Sequence, residues 1–359
     1  MISQKAFGEY QLYTLSSGTL SVSVSTLGAT VQRLRFLGRD CILGYESPEE
    51  YLAGSAYLGA TVGRVGNRIG GSAFTLDGVR YALSPNEGEN QLHGGPDSFD
   101  RRRWEAEILG EDALRLTLLS PDGDNGYPGN LSAAVTYRVA GGTLRIEFEG
   151  ESDRDTIFAP TNHMYFDLSG KGQVLDHDLR LNADRYVEPG EGLIPTGRLL
   201  PAEGDFDFRS LRRIGRDYDH AFVLSGEQAC TLRAGGLQLE LRTDFPALQV
   251  YTGAFLPPPH APRQGLALEP EFFPDSPNHP DFPSIVLRAG EHFRRWAEYR
   301  FEEFCVFSFE KNVGRPGQGL PTFYVWGSFS ISDSPAQRSS GPQCRRRGRR
   351  WCGSGWPCR

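Results

Sequence analysis

The sequence lacks the usual signatures of membrane spans, nucleotide sites and serine hydrolases. No window approaches the ~18 apolar residues that a membrane helix needs, and residues 1–10 do not combine a basic segment with an apolar run. The glycine-rich stretch 59–71 never reads GxGxxG, and neither GxxxxGK(S/T) nor GxSxG occurs. We therefore expect a cytoplasmic protein that binds no membrane and no nucleotide.

Cysteine is sparse before residue 305. The chain has six cysteines, but only Cys41 and Cys230 precede residue 305, and neither belongs to a CxxC or another metal-ligand spacing. This usage indicates a reducing compartment. It predicts no disulfide framework, no metal and no cofactor.

Charge is distributed unevenly along the chain. The formal net charge is −7, although the residues from Lys311 onward carry nine Lys or Arg against one acid, Asp333. The remainder is therefore strongly acidic and repels a phosphate backbone. We expect no nucleic-acid partner for it and a small, neutral substrate instead.

Period-two alternation of apolar and polar residues recurs along the sequence, whereas long helical periodicity is hard to find. Glycine pairs or Asp-Gly separate neighbouring runs at 77–78, 141–142 and 235–236, and each predicts a hairpin. Strands do not alternate with amphipathic helices, which argues against a parallel sheet. The fold class that these patterns predict is all-β, a large antiparallel β-sandwich.

The composition changes after about residue 301. Residues 304–359 are rich in Gly, Pro, Ser, Arg, Cys and Trp and lack the periodicity that builds a core. We therefore predict one domain over residues 1–303 and a disordered extension over 304–359. A basic arm for nucleic acid and an out-of-frame extension are both compatible with this composition.

Several polar residues interrupt segments otherwise built for strands and turns. Glu269 ends an apolar run, and His163 lies among aromatic residues. Further amide, guanidinium, imidazole and carboxyl groups come from Asn67, Arg68, His93, Asp219 and Gln249. Sugar sites combine aromatic faces with directional polar groups. The alternative is structural, with His163 a satisfied core residue and Glu269 an ion-pair partner of Arg68.

Six ordered motifs resemble the aldose 1-epimerase, or galactose mutarotase, family. They are GRVGNRIG (63–70), QLHGG (91–95), GYPGNL (126–131), TNHMYFDLSG (161–170), YDHAFVL (218–224) and LEPEFFPDSPN (268–278). The resemblance runs from the first strands to about residue 303. Met164 departs from it, because a smaller residue is common there, and this difference could alter the pocket.

The resemblance implies an enzyme with a β-supersandwich fold. Such an enzyme interconverts the α and β anomers of a free hexose without a cofactor. The resemblance also implies that Glu269 is the catalytic base and His163 the acid. It further implies that the other five residues hold the sugar: Asn67, Arg68, His93, Asp219 and Gln249.

Other functions are compatible with the same motifs. An epimerase of a hexose 6-phosphate would use a cationic pocket mouth, for which Arg101, Arg102 and Arg103 are candidates. A non-catalytic carbohydrate-binding protein has no use for both Glu269 and His163. A glycosidase needs a second acid, which the sequence does not make evident. The choice between galactose and glucose and the oligomeric state stay open.

Overall fold

The structure is a computed structural model that describes residues 1–304. The predicted extension at 304–359 lies outside the described residues except for Phe304. The last strand of the described part ends at Glu303, close to the point at which the composition changes.

Strands dominate residues 1–304. In chain order they are β1 (Ile2–Phe7), β2 (Tyr10–Ser17), β3 (Leu20–Ser25), β4 (Thr30–Phe36), β5 (Arg39–Asp40), β6 (Thr61–Val62), β7 (Arg68–Ile69), β8 (Ala73–Leu76), β9 (Val79–Ala82), β10 (Gln91–Leu92), β11 (Glu105–Ile108), β12 (Ala113–Ser120), β13 (Leu131–Ala140), β14 (Thr143–Ser152), β15 (Thr156–Ile157), β16 (Thr161–Asn162), β17 (Tyr165–Phe166), β18 (Asp178–Leu181), β19 (Ala183–Pro189), β20 (Pro195–Pro201), β21 (Arg212–Arg213), β22 (Asp219–Leu224), β23 (Gln228–Ala234), β24 (Leu237–Thr243), β25 (Ala247–Tyr251), β26 (Leu266–Glu271), β27 (Val286–Leu287) and β28 (His292–Glu303).

Helices are few and short in the same residues. The α-helix α1 (Pro48–Ala53) begins with a capping box, in which Ser47 and Glu50 satisfy each other's backbone N–H groups. The 3₁₀ turns are Gly70–Ser72, Phe99–Arg101, Asp124–Gly126, Val174–Asp176, Glu191–Leu193, Gly204–Phe206 and Ser276–Asn278. None of the described helices is long and apolar enough to cross a membrane.

The strands form three larger sheets, and the prediction of an all-β antiparallel sandwich is confirmed. A nine-stranded sheet has the order β11-β12-β13-β14-β28-β24-β23-β18-β21, a six-stranded sheet the order β17-β26-β25-β22-β19-β20, and a five-stranded sheet runs from β1 to β5. The three predicted hairpins are present as the antiparallel pairs β8/β9, β13/β14 and β23/β24.

The hydrophobic core lies between the sheets. In the six-stranded sheet Leu268 pairs with Val250 and belongs to the core, and Phe166 of the same sheet stacks on Tyr299 of the nine-stranded sheet with ring centroids 5.7 Å apart. Successive side chains of a strand point to opposite faces. The other face of the six-stranded sheet therefore carries the residues that alternate with this core set, and the candidate site lies there.

A buried guanidinium anchors the segment that leads to Asn67. Arg64 is 1% exposed and donates hydrogen bonds to carbonyl oxygens of Ser120, Pro128 and Gly129, each at 2.9 Å, and to hydroxyl and carbonyl oxygens nearby. Burial lowers the pKa of Arg64 to about 10, still far above neutral pH. The charged side chain thus fixes the chain three residues before the site.

We expect Arg64→Leu to lower the free energy of unfolding by about 3 kcal/mol or more, because it leaves several buried acceptors without donors. Arg138→Leu is the control, since Arg138 pairs with Asp112 at the surface and its loss should cost less than about 1 kcal/mol. Urea denaturation of both variants measures the difference. Equal effects would contradict the anchoring role of Arg64.

Candidate active site

Three neighbouring strands of the six-stranded sheet place three candidate residues on one face. Gln249 on β25 is opposite Glu269 on β26, and Asp219 on β22 is opposite Tyr251, two residues beyond Gln249. All six residues of β26 are buried, so Glu269 is only 2% exposed. The sheet register, rather than proximity in sequence, assembles this carboxyl-rich face.

Loops and short strands carry the remaining candidates to the same face. His163 lies between β16 and β17, and its backbone is tied to Ala60 and Gly59 by hydrogen bonds of 2.9 and 2.8 Å. Asn67 and His93 adopt left-handed backbone angles, with φ of +58° and +52°. Such angles are uncommon outside glycine, and a site that holds them is a candidate for function.

The tautomer of His93 is determined by its neighbour. The Asn67 backbone N–H donates to Nδ1 of His93 at 3.1 Å, so neutral His93 carries its proton on Nε2. His93 is 6% exposed, and burial holds its pKa well below the usual value. His93 is therefore a neutral hydrogen-bond donor, suited to a hydroxyl or carbonyl oxygen.

Glu269 and His163 form a buried acid/base pair. Nε2 of His163 lies 3.5 Å from Oε1 of Glu269. Burial lowers the pKa of His163 to about 4. It also holds the pKa of Glu269 well above its usual range, with further contributions from the charges of Glu271 and Asp219. Both pKa values therefore depart from the usual values of an imidazole and a carboxylate.

Arg68 does not pair with Glu269. Its Nε and Nη2 donate to the two carboxylate oxygens of Glu87 at 2.6 and 2.7 Å, which is bidentate geometry. The structural alternative that made Arg68 the partner of Glu269 is therefore wrong.

Asp219 and Gln249 are joined by a hydrogen bond on this face. Nε2 of Gln249 donates to Oδ1 of Asp219 at 2.6 Å, and burial raises the pKa of Asp219. One cavity is lined by both of these residues and by Asn67 and Arg68, with apolar walls that include Leu193. This cavity combines polar groups with an apolar wall, as a sugar site requires.

Aromatic rings enclose the two histidines. Tyr165 stacks on His163 with ring centroids 4.8 Å apart, and Tyr57 makes an edge contact with His93 at 4.7 Å. The two imidazole rings lie 5.1 Å from each other. The rings lower the local polarity, which accounts for the dominant effect of burial on both pKa values.

The same geometry raises the question of a metal ion. Ligand-type atoms of His93, His163 and Glu269 lie within 4.8 Å of one another. Neutral His93 has Nδ1 engaged by Asn67 and its proton on Nε2, so it offers no free lone pair to a metal. The donor set therefore fits hydrogen bonding to a substrate better than metal binding, and the absence of a metal cofactor stays a prediction.

The sequence analysis missed Glu271. Glu271 is 1% exposed and accepts a hydrogen bond from Nδ2 of Asn67 at 3.0 Å. Its position two residues after Glu269 on a strand was the available signal. Met164 is fully buried in the main hydrophobic core, and its effect on the pocket stays a prediction.

All seven predicted site residues are thus connected by contacts or by one cavity. Together with the fold, they define an antiparallel β-sandwich protein with a buried carboxyl and imidazole pair, built to bind a small polar molecule and move protons.

Comparisons with known proteins agree with this class. Residues 11–300 match the family described as Aldose 1-epimerase, so the chain belongs to the aldose 1-epimerase family, whose members are isomerases. Aldose 1-epimerase from Escherichia coli strain K12 is 40% identical over 329 aligned residues, covering 81% of this chain and 95% of the relative. Galactose mutarotase from Rattus norvegicus is 36% identical and covers 82% and 94%.

Solved structures show the same fold. An aldose epimerase homologue from C. elegans superposes with a TM-score of 0.79 at 30% identity, covering 82% of this chain and 99% of that one. Galactose 1-epimerase from Lactobacillus acidophilus gives 0.77 at 30% identity, covering 84% and 98%. The galactose mutarotase-like sandwich predicted from the sequence is confirmed.

Proposed function

We propose that Glu269 and His163 perform the proton transfers by which this chain interconverts the α and β anomers of a free hexose. The observation that supports this proposal most directly is the 3.5 Å approach of His163 Nε2 to Glu269 Oε1 in a buried, aromatic surrounding. Among residues 1–304, Glu269 forms no salt bridge with a lysine or an arginine, and His163 forms none with a carboxylate other than Glu269.

The reaction needs two coupled proton transfers. Glu269 accepts the proton of the C1 hydroxyl while the bond between C1 and the ring oxygen breaks, and His163 donates a proton to that ring oxygen. The product is the open-chain aldehyde. Rotation about the C1–C2 bond presents the other face of the carbonyl, and the reverse transfers close the ring as the other anomer. Both groups return to their starting protonation.

Burial does not obstruct this scheme, because the pair shares one proton. Neutral His163 with a protonated Glu269 contains the same number of protons as imidazolium with carboxylate. The raised pKa of Glu269 and the lowered pKa of His163 favour the first arrangement in the free protein. A sugar hydroxyl that donates to Glu269 stabilises the carboxylate and favours the second, reactive arrangement.

The other predicted residues are assigned to sugar binding. His93 presents Nε2–H to a sugar oxygen, and Asp219, held by Gln249, accepts hydrogen bonds from sugar hydroxyl groups. Asn67 and Arg68 line the same cavity. A non-catalytic binding protein would gain nothing from burying Glu269 beside His163, since an unpaired buried carboxyl is costly.

The arginines proposed for a phosphate are engaged elsewhere. Arg101 donates to Leu52 O at 2.7 Å, and Arg103 donates to Glu9 and lies over the Tyr10 ring. Arg102 pairs with Asp97 and Asp124. Arg68, which lines the cavity, is already paired with Glu87. A phosphate therefore finds no unpaired arginine among the lining residues, which favours an uncharged sugar.

We expect glucose 6-phosphate and galactose 6-phosphate to react at least about 10-fold more slowly, by kcat/KM, than glucose and galactose, because Arg68 in the cavity is already paired with Glu87 and a phosphate would lose its hydration there without a new ion pair. Polarimetry of freshly dissolved α anomers measures the four rates. A hexose phosphate that reacts faster than its parent sugar would favour the phosphate alternative, and no acceleration of any anomer would contradict the proposed function.

The cytoplasm remains our proposed compartment, and we propose no nucleic-acid or membrane partner. Cys41 and Cys230 are buried free thiols, which suits a reducing environment. The acidic charge of the chain before Lys311 disfavours nucleic acid.

A further inference from the structure

Glu271 is a second buried carboxyl group that none of the reaction steps above uses. It follows Glu269 by two residues on β26, so the two side chains share a face with Cα atoms about 7 Å apart by strand geometry. Asn67 donates to its Oε1 at 3.0 Å, and its Oε2 has no hydrogen-bond partner within the described chain. Such a group is costly to bury without a role.

The hydrogen bond from Asn67 makes the two carboxyl groups unequal. Burial raises the pKa of both, but the Asn67 donor opposes this rise at Glu271, because it stabilises the ionised form. Glu269 has no comparable donor among residues 1–304: His163 is 3.5 Å from its Oε1, and its Oε2 is unpartnered. Glu271 therefore ionises before Glu269.

We propose that Glu271 is a positioning residue: its carboxylate holds Asn67 and helps the Glu269 and His163 pair to retain the proton that the reaction uses. The inference rests on the proposed function. By holding Asn67, Glu271 also affects His93, because the Asn67 backbone N–H fixes the tautomer of His93.

Other charged or titratable groups face the same pair. They are Asp219 on β22, Arg68 on β7, His93 after β10, Tyr165 on β17 and Tyr299 on β28. Asp219 acts in the same direction as Glu271. The positive charge of Arg68 acts against both, although Glu87 neutralises much of it.

The sign of the effect follows from the charge. Turnover falls at alkaline pH when the pair loses its shared proton, and a negative neighbour moves that loss to higher pH. Glu271→Gln removes the charge but keeps an oxygen that accepts from Asn67. We expect its alkaline limb to lie about one pH unit or more below that of the unaltered enzyme.

Mutarotation rates across pH test this expectation. Glu151→Gln is the matched control, since it removes the same charge from an exposed position on β14 and should leave the limb unshifted. Glu271→Asp keeps a carboxylate and should move the limb back towards that of the unaltered enzyme. A folded, active Glu271→Gln enzyme with an unshifted limb would overturn the proposal, since a purely structural role predicts that result.

If Glu271→Gln does not fold, a second measurement on the unaltered protein tests the proposal. In the unaltered protein labelled with carbon-13 at glutamate Cδ, the resonances of Glu269 and Glu271 should each titrate in two coupled steps. Independent single-step curves would overturn the proposal. An unaltered enzyme without mutarotase activity would instead refute the proposed function, whereas the carboxyl titrations would still decide whether the two groups are coupled.

Discussion

Replacing Glu269 with Gln lowers the turnover number for mutarotation by about 10²-fold or more, because the amide is close to isosteric but cannot accept the C1 hydroxyl proton. We expect the free energy of unfolding to stay unchanged or to rise, since Glu269 is 2% exposed and its Oε2 has no partner in the described structure. Initial rates by polarimetry and urea denaturation on the same preparation give both values.

Glu151→Gln is again the control, because it removes a carboxylate from an exposed position on β14. The assignment of Glu269 as base is refuted by either of two outcomes. One is near-normal mutarotation by the Gln variant. The other is a loss of activity that unfolding fully accounts for, which would make the carboxyl group structural.

The second large effect concerns His163. His163→Asn removes the group that protonates the ring oxygen, which then leaves as an alkoxide, so turnover should fall by about 10²-fold. His163 and Glu269 share one proton across 3.5 Å and serve one event. The double variant should therefore lose much less than the product of the two single losses.

His292→Asn serves as the matched control, since His292 lies at the surface of β28 beside Glu149. It should retain full turnover. If the losses from His163→Asn and Glu269→Gln multiplied in the double variant, the two residues would act independently. A shared proton transfer could not then be maintained.

Much of the fold could be predicted from local patterns, because hairpins depend on short-range turn chemistry. Asp77-Gly78 and the two glycine pairs correctly marked the turns of three hairpins. The sheet order could not be predicted in this way. β28 lies between β14 and β24, and its pairings with them join residues more than 100 and more than 50 positions apart, respectively. Local periodicity carries no information about such pairings.

The site residues were identified by motif, but their partners depended on the three-dimensional structure. The sequence suggested Arg68 as a partner for Glu269, whereas the fold gives it Glu87. The usual pKa values of a carboxylate and an imidazole do not apply to Glu269 and His163, because burial raises the first and lowers the second until their order is reversed. Desolvation depends on every neighbouring group, so no pattern of residue types along the chain reports it.

Glu271 shows the same limit more sharply. Strand alternation alone places it beside Glu269, but the Asn67 hydrogen bond that gives it a distinct role comes from a loop 204 residues away in sequence. Motifs therefore point to candidate reacting groups more readily than to the residues that would position them.

The central claim is tested most directly by measuring the interconversion of the two anomers at equilibrium. Two-dimensional exchange NMR of the anomeric protons of galactose and glucose reports interconversion without a coupled enzyme. The account predicts cross-peaks between the α and β resonances that grow with the concentration of the unaltered protein and vanish for Glu269→Gln. Equal exchange in buffer, with the unaltered protein and with the variant would contradict it.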